Sequence, residues 1–241
     1  MKRRKIIITS LVFLALLFTV IGIIEINSKY EKLTKNEIEN LRVNYPLYSG
    51  SPDGFFVTSE YVPIDTVVDL SDTFVYCEVI GNVYYSRYEM STGDTEFDEK
   101  LESYGAGLEV TKFYYPVKVI KDTEGLLSEG FEFSYSCSSV YYDLMPQPDI
   151  GDKLIIPLHL YKRDNGEVMY ETGNQAVFYV TDKEYVLAAF KSDADEKYSG
   201  LKAENVMNVL KKTAEQKEEW IAKNQDVIDL YRTEIESKIT E

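Results

Sequence analysis

The sequence predicts a mainly β protein with three parts: a single N-terminal transmembrane helix, a small coiled β-barrel, and amphipathic α-helices at the C-terminus. Three observations predict it. Residues 6–24, IIITSLVFLALLFTVIGII, carry no charge, and as a helix they cover roughly 28 Å, close to the hydrocarbon thickness of a bilayer. Residues 73–190 alternate apolar and polar positions between Gly, Pro and Asp turn signals, which is the pattern of successive short strands. Residues 201–241 contain neither Gly nor Pro and repeat apolar residues at helical spacing.

Lys2, Arg3, Arg4 and Lys5 directly precede the apolar run. Basic residues flanking a span stay on the cytoplasmic side, so residues 1–5 are read as cytoplasmic and everything beyond the anchor as extracytoplasmic. The anchor is taken as residues 6–26 and as uncleaved. A cleavable signal has a shorter apolar region and a small-x-small site, whereas this run ends Gly22-Ile23-Ile24-Glu25-Ile26-Asn27-Ser28. Lys29 to Arg42 is helix-prone with a thin stripe of Leu33, Ile38 and Leu41, and Tyr45 to Gly54 holds two Pro and two Gly. Residues 27–54 therefore read as a stalk helix and linker, with the barrel running from 55 to 192.

Phe55 to Pro63 reads as a short edge strand. Thr73 to Ile80 (TFVYCEVI) is a strand that continues through Val83 to Met90, with Gly81 marking a bulge or sharp bend. Ser91 to Gly107 is an acidic insertion. Leu108 to Lys121 is a long strand in which Pro116, unable to donate to a ladder, marks an edge or bulge. Phe131 to Cys137 (FEFSYSC) alternates cleanly. Met145 to Asp152 is a turn, and Lys153 to Tyr161 (KLIIPLHLY) is a nearly continuous apolar strand. Asp164-Asn165-Gly166 signals a hairpin turn. Asn174 to Thr181 and Glu184 to Phe190 form a last hairpin around Asp182-Lys183. In residues 193–241 the stripe of Val206, Val209, Leu210, Trp220, Ile221, Val227, Ile228, Tyr231 and Ile235 is interrupted at Thr213 and Lys217, so two helices or a bend are expected near 212–216. That stripe either packs on the barrel or forms a coiled coil.

The chain has 241 residues and a net charge of −15, and setting aside the four basic residues at 2–5 leaves −19 for the exported part. Phosphate binding needs clustered Lys and Arg, so nucleic acid is excluded as a partner, and so is an anionic lipid surface for the domain itself. The two cysteines, Cys77 and Cys137, lie on inward faces of their strands and form either a disulfide, which export permits, or two buried thiols. The twenty Tyr favour strands and outer surfaces alike. The pairs Tyr84-Tyr85, Tyr114-Tyr115 and Tyr141-Tyr142 each put one ring on each strand face, giving either a row of exposed rings for a sugar or peptide or rings covered by the C-terminal helices.

The catalytic inventory is thin. The lone His159 lies in an apolar strand, which rules out a two-histidine zinc motif within one chain and gives no support to a Ser-His-Asp triad. Gly105-Ala106-Gly107 lacks the rest of a nucleotide fingerprint, so no cofactor is indicated. Ser199-Gly200-Leu201-Lys202 matches S-x-x-K without its companion motifs, and Ser199 as a helix N-cap accounts for the same residues. Asp94, Glu96 and Asp98 fall at alternate positions, as calcium-loop ligands do, but the sixth and twelfth positions of such a loop hold Glu99 and Gly105 where Gly and Glu are needed.

Four segments resemble a group of exported bacterial proteins: DLSDTFVYCEVIG at 69–81, FYYPVKVIKDTEGLLSEG at 113–130, PDIGDKLIIPLHL at 148–160 and GNQAVFYVTD at 173–182. These are similar to that group's opening strand, its long strand and turn, its Gly-Asp turn and strand, and its closing hairpin. The pattern would have a glycine where this chain has Ser128 and Ala176. The resemblance covers about residues 65–190 and implies a small coiled barrel of OB or netrin/TIMP-like type; it carries no catalytic residues, and most such proteins are of unknown function. The netrin-like inhibitors use an N-terminal Cys on zinc, which this tethered domain lacks. The expectation is a membrane-anchored module on the outer face of the cell membrane that binds or scaffolds another protein or a cell-wall component. The alternatives are a wall- or glycan-active hydrolase using carboxylates of 91–107, or an inhibitor or regulator of an exported enzyme.

Overall fold

The computed structural model describes residues 32–48, 63–89, 109–138, 145–162, 168–172 and 176–223, with a few isolated positions besides. The anchor at 6–26, the edge strand expected at 55–63 except its last residue, the hairpin turn at 164–166, most of the acidic insertion and the chain beyond 223, apart from isolated positions, lie outside the described residues. Among the described residues, no helix is long and apolar enough to cross a membrane.

Among the described residues the first elements are a short helix α1 (Lys35–Leu41) and helix α2 (Ile64–Leu70). Strands follow: β1 (Thr73–Val79), β2 (Tyr84–Glu89), β3 (Glu109–Asp122), β4 (Glu132–Ser138), β5 (Lys153–Lys162), β6 (Val168–Glu171), β7 (Phe178–Val180) and β8 (Val186–Ala188). Three helices complete it: α3 (Asp193–Glu196), α4 (Ala203–Leu210) and α5 (Ala214–Lys223). Five strands close into a barrel in the order β1-β3-β4-β6-β5, with β5 returning to pair with β1. All these pairings are antiparallel except β4 with β6, which is parallel.

β1 and β2 pair with the same edge of β3, Val79 facing Val117 and Tyr84 facing Tyr114, so they are one strand bent at Gly81. The four residues between them face two on β3, a bulge that turns the strand sharply. A Cβ at Gly81 would stand 3.1 Å from Cγ of Pro116, so the bend needs a glycine there. Pro116 accepts from the Ile80 N–H at 2.9 Å, and its missing donor falls at the bulge, where no ladder bond is lost.

The barrel interior holds Val75, Cys77, Val79, Tyr115, Val117, Val119, Phe133, Tyr135, Cys137, Leu154, Ile156 and Leu158, one face of each strand. The opposite face of β1 and β5, with Phe74, Tyr76 and Ile155, forms a second core with Phe178, Val180, Val186 and Ala188 of the β7–β8 hairpin and with α2 and α4. Val206, Met207 and Leu210 seat α4 in that core, so this part of the C-terminal stripe packs on the barrel. The break between α4 and α5 falls at Lys211 to Thr213, where Thr213 and Gln216 make a reciprocal capping box.

The segment read as a stalk is helical, but it lies against the barrel rather than leading away from it. Ile38, Leu41, Tyr45 and Tyr48 pack on the barrel core. The Leu33 N–H donates to the Gly200 carbonyl at 2.9 Å, and Arg42 Nη1 donates to the Ala188 carbonyl at 2.6 Å. Tyr48 bridges to Phe190 in parallel. The folded domain therefore begins by residue 32 and not near 55. A thin apolar stripe understates a helix whose other contacts are backbone hydrogen bonds and rings.

The two cysteines are buried and free. Cys77 faces Val119 and Cys137 faces Phe113 on the strand between them, an offset of six residues, or roughly 20 Å of extended chain, against the roughly 7 Å that a bridge spans. Of the two expected arrangements, the pair of buried thiols is the one formed. Burial pushes both thiols up, Cys137 to about 12.

Candidate functional site

The register places one line of residues across five strands. Tyr84 faces Tyr114, Tyr114 faces Ser136, Ser136 faces Glu171 and Glu171 faces His159. Directly paired residues share a sheet face, so these five side chains stand on one face, and alternation with the interior residues makes it the outward face of the barrel; on it Tyr84 is exposed, Glu171 and His159 are half-buried, and Tyr114 and Ser136 are buried. Lys112 and Tyr161 lie two residues from Tyr114 and His159 on their own strands and share that surface.

At one end of the row the Tyr84 ring lies flat on that of Tyr114, with centroids 5.0 Å apart and planes 8° from parallel. Tyr114 is buried beneath it, while Tyr84 and its neighbour Tyr85 are 50% and 63% exposed. Tyr85, on the other face of β2, leans against Phe113 at 6.3 Å. Val83 and Ile80 at the bend are also exposed, so the end of the ribbon is an apolar surface. At the other end Lys112 Nζ donates to Tyr161 Oη at 2.8 Å and to both Glu171 carboxylate oxygens at 3.0 Å. Burial opposes the Lys112 ammonium, but the bonds to Tyr161 and Glu171 outweigh it and raise its pKa. Burial also raises that of Tyr161. The lysine is thus held charged and the tyrosine neutral at physiological pH. This arrangement orients donors and rings; a lysine held this way is neither base nor nucleophile.

The tyrosine pairs do not divide one ring in and one ring out as the alternation suggests. Tyr84 and Tyr85 are both exposed because β2 runs past the barrel and has two open faces. Tyr114 and Tyr115 are both buried: Tyr115 stacks on Tyr135 in the interior at 5.1 Å, and Tyr114 lies under Tyr84. Tyr141 and Tyr142 lie outside the described residues, as do Asp94 and Asp98, and Glu96 is exposed. Among the described residues no three His, Cys, Asp or Glu side chains come together as a metal site. Ser199 and Lys202 serve separate ends. Ser199 Oγ accepts from the Ala188 N–H at 2.9 Å instead of capping a helix, and Lys202 Nζ donates to the Lys183 carbonyl at 3.1 Å.

Lys112, Ser136, Tyr161 and Glu171 were not singled out from the sequence, and His159 was noted only as an isolated residue. Lys112, Ser136 and Tyr161 lie on strands legible in the sequence, but Glu171 lies on β6, which is not, and a parallel pairing between β4 and β6 leaves no local signal. Comparison of the chain with protein-family models, with curated proteins and with solved structures finds no match in any of the three.

Proposed function

We propose that the protein is a membrane-anchored, extracytoplasmic binding module that engages a partner, another protein or a cell-wall component, through the exposed rings of Tyr84 and Tyr85 at the end of the row that leads to Glu171. The observation that carries the reading is the Tyr84 ring, half exposed and stacked flat on a buried tyrosine at the end of a polar row. Aromatic rings fixed by packing and open on one side supply large contact area at small entropic cost. Strand order supports the reading. Counting β1 with β2 as the first strand gives 1-2-3-5-4-1 with strands 3 and 5 parallel, an OB-like arrangement, and barrels of that kind bind ligands on the face of their second and third strands, here β3 and β4. The net charge of −15 speaks against a polyanionic ligand. The uncharged run at 6–24 after four basic residues supports the anchor and the extracytoplasmic side.

The test is photo-crosslinking in intact cells with a benzophenone residue at position 85, and separately at Val209, which is exposed on α4 on a different face. The expected result is a discrete adduct from position 85 that disappears with Tyr84→Ser and none from position 209, with the full-length protein in the alkali-resistant membrane fraction. Equal adducts from both positions, or a protein that washes off the membrane, would overturn the proposal.

A further inference from the structure

A cleft of about 370 Å³ lies between α1 and the β7–β8 turn. Leu33 and Leu41 with the rings of Tyr45 and Tyr185 form its apolar part, and Asn40, Asn44, Asp182 and Lys183 stand around it. The volume is that of a small-molecule pocket, and a few polar groups converging on an apolar lining is the usual composition of one. Among the described residues, the side chains of Asn40, Asn44, Asp182 and Lys183 make no hydrogen bond or ion pair with the protein, although their neighbours do. Glu37 is committed to the Thr34 capping box and Lys202 to the Lys183 carbonyl. Lys183 acts on the Glu37 carboxylate only through its charge, which helps to lower that group's pKa, so the set without a direct bond is one carboxylate, one ammonium and two amides.

That set discriminates between ligand classes. A sugar needs an open aromatic face to stack on. Tyr185 is 7% exposed and has Lys202 Nζ 3.6 Å above its centroid, and Tyr45 leans on Tyr179 at 5.4 Å. The Tyr185 face is therefore taken, and Tyr45 stands tilted against Tyr179 and is half-buried, which leaves little stacking area for a sugar. Adjacent opposite charges with two amides instead match a molecule bearing an ammonium, a carboxylate and amide groups between or beside them. We propose that this cleft binds a small zwitterion of the amino-acid or dipeptide class. Asp182 takes its ammonium, Lys183 its carboxylate, Asn40 and Asn44 its amide, and Leu33, Leu41 and Tyr45 its side chains. The site is separate from the row of Tyr84 to Glu171 and does not depend on it.

The geometry also makes binding consequential. The cleft has α1 on one wall and a β-hairpin turn on the other, so a ligand that touches both fastens α1 to the barrel. Ligand binding and docking of residues 32–48 are then linked: each strengthens the other by the same factor.

The test is titration of the full-length, ¹⁵N-labelled protein in nanodiscs with L-alanyl-L-alanine, followed by amide chemical shifts and calorimetry. Expected is a saturable response confined to residues 33–45 and 181–185. Asp182→Asn and Lys183→Met should each weaken it about tenfold, the effect of one charge-assisted bond, with unfolding temperatures unchanged because both residues are exposed. The N-acetylated, C-amidated dipeptide should give no response at roughly ten times the concentration. The proposal is overturned if alanyl-alanine gives no saturable shift up to roughly 20 mM, if the blocked dipeptide binds equally, if the two variants bind as the parent does, or if N-acetylglucosamine produces the response in its place.

Discussion

Asp195 has no exposed surface, and its Oδ1 accepts the N–H of Ile64, the first residue of α2, 131 positions earlier in the chain. Pro63 gives that helix no side-chain cap, so the carboxyl from α3 serves instead. Burial raises the Asp195 pKa from 3.8 to about 6. A group that holds its proton more tightly when folded stabilises the fold below the unfolded pKa, and loses that contribution as pH rises through the folded one. Between pH 4 and pH 6 Asp195 should therefore remove stability on the order of 3 kcal/mol. Asp195→Asn keeps the acceptor without the titration. Urea unfolding of both proteins across this range should show the variant gaining on the parent as pH rises, and a constant gap would refute the assignment. Asp122 is a second organising carboxylate. It accepts from Thr73 Oγ1 and from the backbone N–H groups of Glu124, Gly125 and Leu127, all at 2.7–2.8 Å. Asp122→Ala leaves three turn amides without their acceptor and the Thr73 hydroxyl with only Thr123 Oγ1 and the Phe74 carbonyl in reach, and denaturant unfolding should register a loss of about 3 kcal/mol.

Among elements, β5 is the most informative about what a sequence reveals. KLIIPLHLY is nearly continuous because Leu154, Ile156 and Leu158 face the barrel while Ile155 and Pro157 are also buried, and such a run is read as a strand without difficulty. The bend at Gly81 and the interruption at Pro116 were visible as well, since one glycine and one proline restrict the backbone locally. Helix α1 was found but misplaced. Its seat comes from Gly200, Ala188 and Phe190, and nothing in residues 35–41 names those partners. The Gly200 position offers a direct test of that seat. Its φ is +86°, and a Cβ would stand 3.1 Å from Ile38 Cδ1 and 3.2 Å from the Leu33 backbone nitrogen. Gly200→Ala should cost about 1–2 kcal/mol from backbone conformation alone, and more if Leu33 is displaced. Amide exchange should accelerate at Leu33 and Tyr48 in this variant while β1 and β5 stay protected.

At the scale of the molecule, closure of the barrel depends on contacts far apart in sequence: β1 with β5, and β4 with β6. Most strands and their faces could be read from alternation, but not β6, which only the hairpin turn at 164–166 announces. The closed arrangement, and with it the row from Tyr84 to His159, could not, because register between distant strands is fixed by core shape and not by any local pattern. The two cysteines report on the integrity of this whole. Both lie in the barrel interior with raised pKa values, and no other cysteine exists in the chain. A thiol reagent at pH 8 should leave the native protein unlabelled and modify both positions at the rate of global unfolding, since thiolate and access are needed together. Fast labelling of one site under native conditions would show that the barrel opens locally.

The docked segment 32–48 has a consequence in time. It is made early, yet Arg42 finds its carbonyl acceptor 146 residues later, and Leu33 must wait for Gly200. At ordinary translation rates the wait is on the order of ten seconds. The first of the described elements to be made is thus among the last to be seated, and until then Leu33, Arg42 and Tyr48 lack their partners. A chain that terminates before residue 188 lacks Ala188, Phe190 and Gly200, so in a truncated product this segment has lost the partners that fasten it.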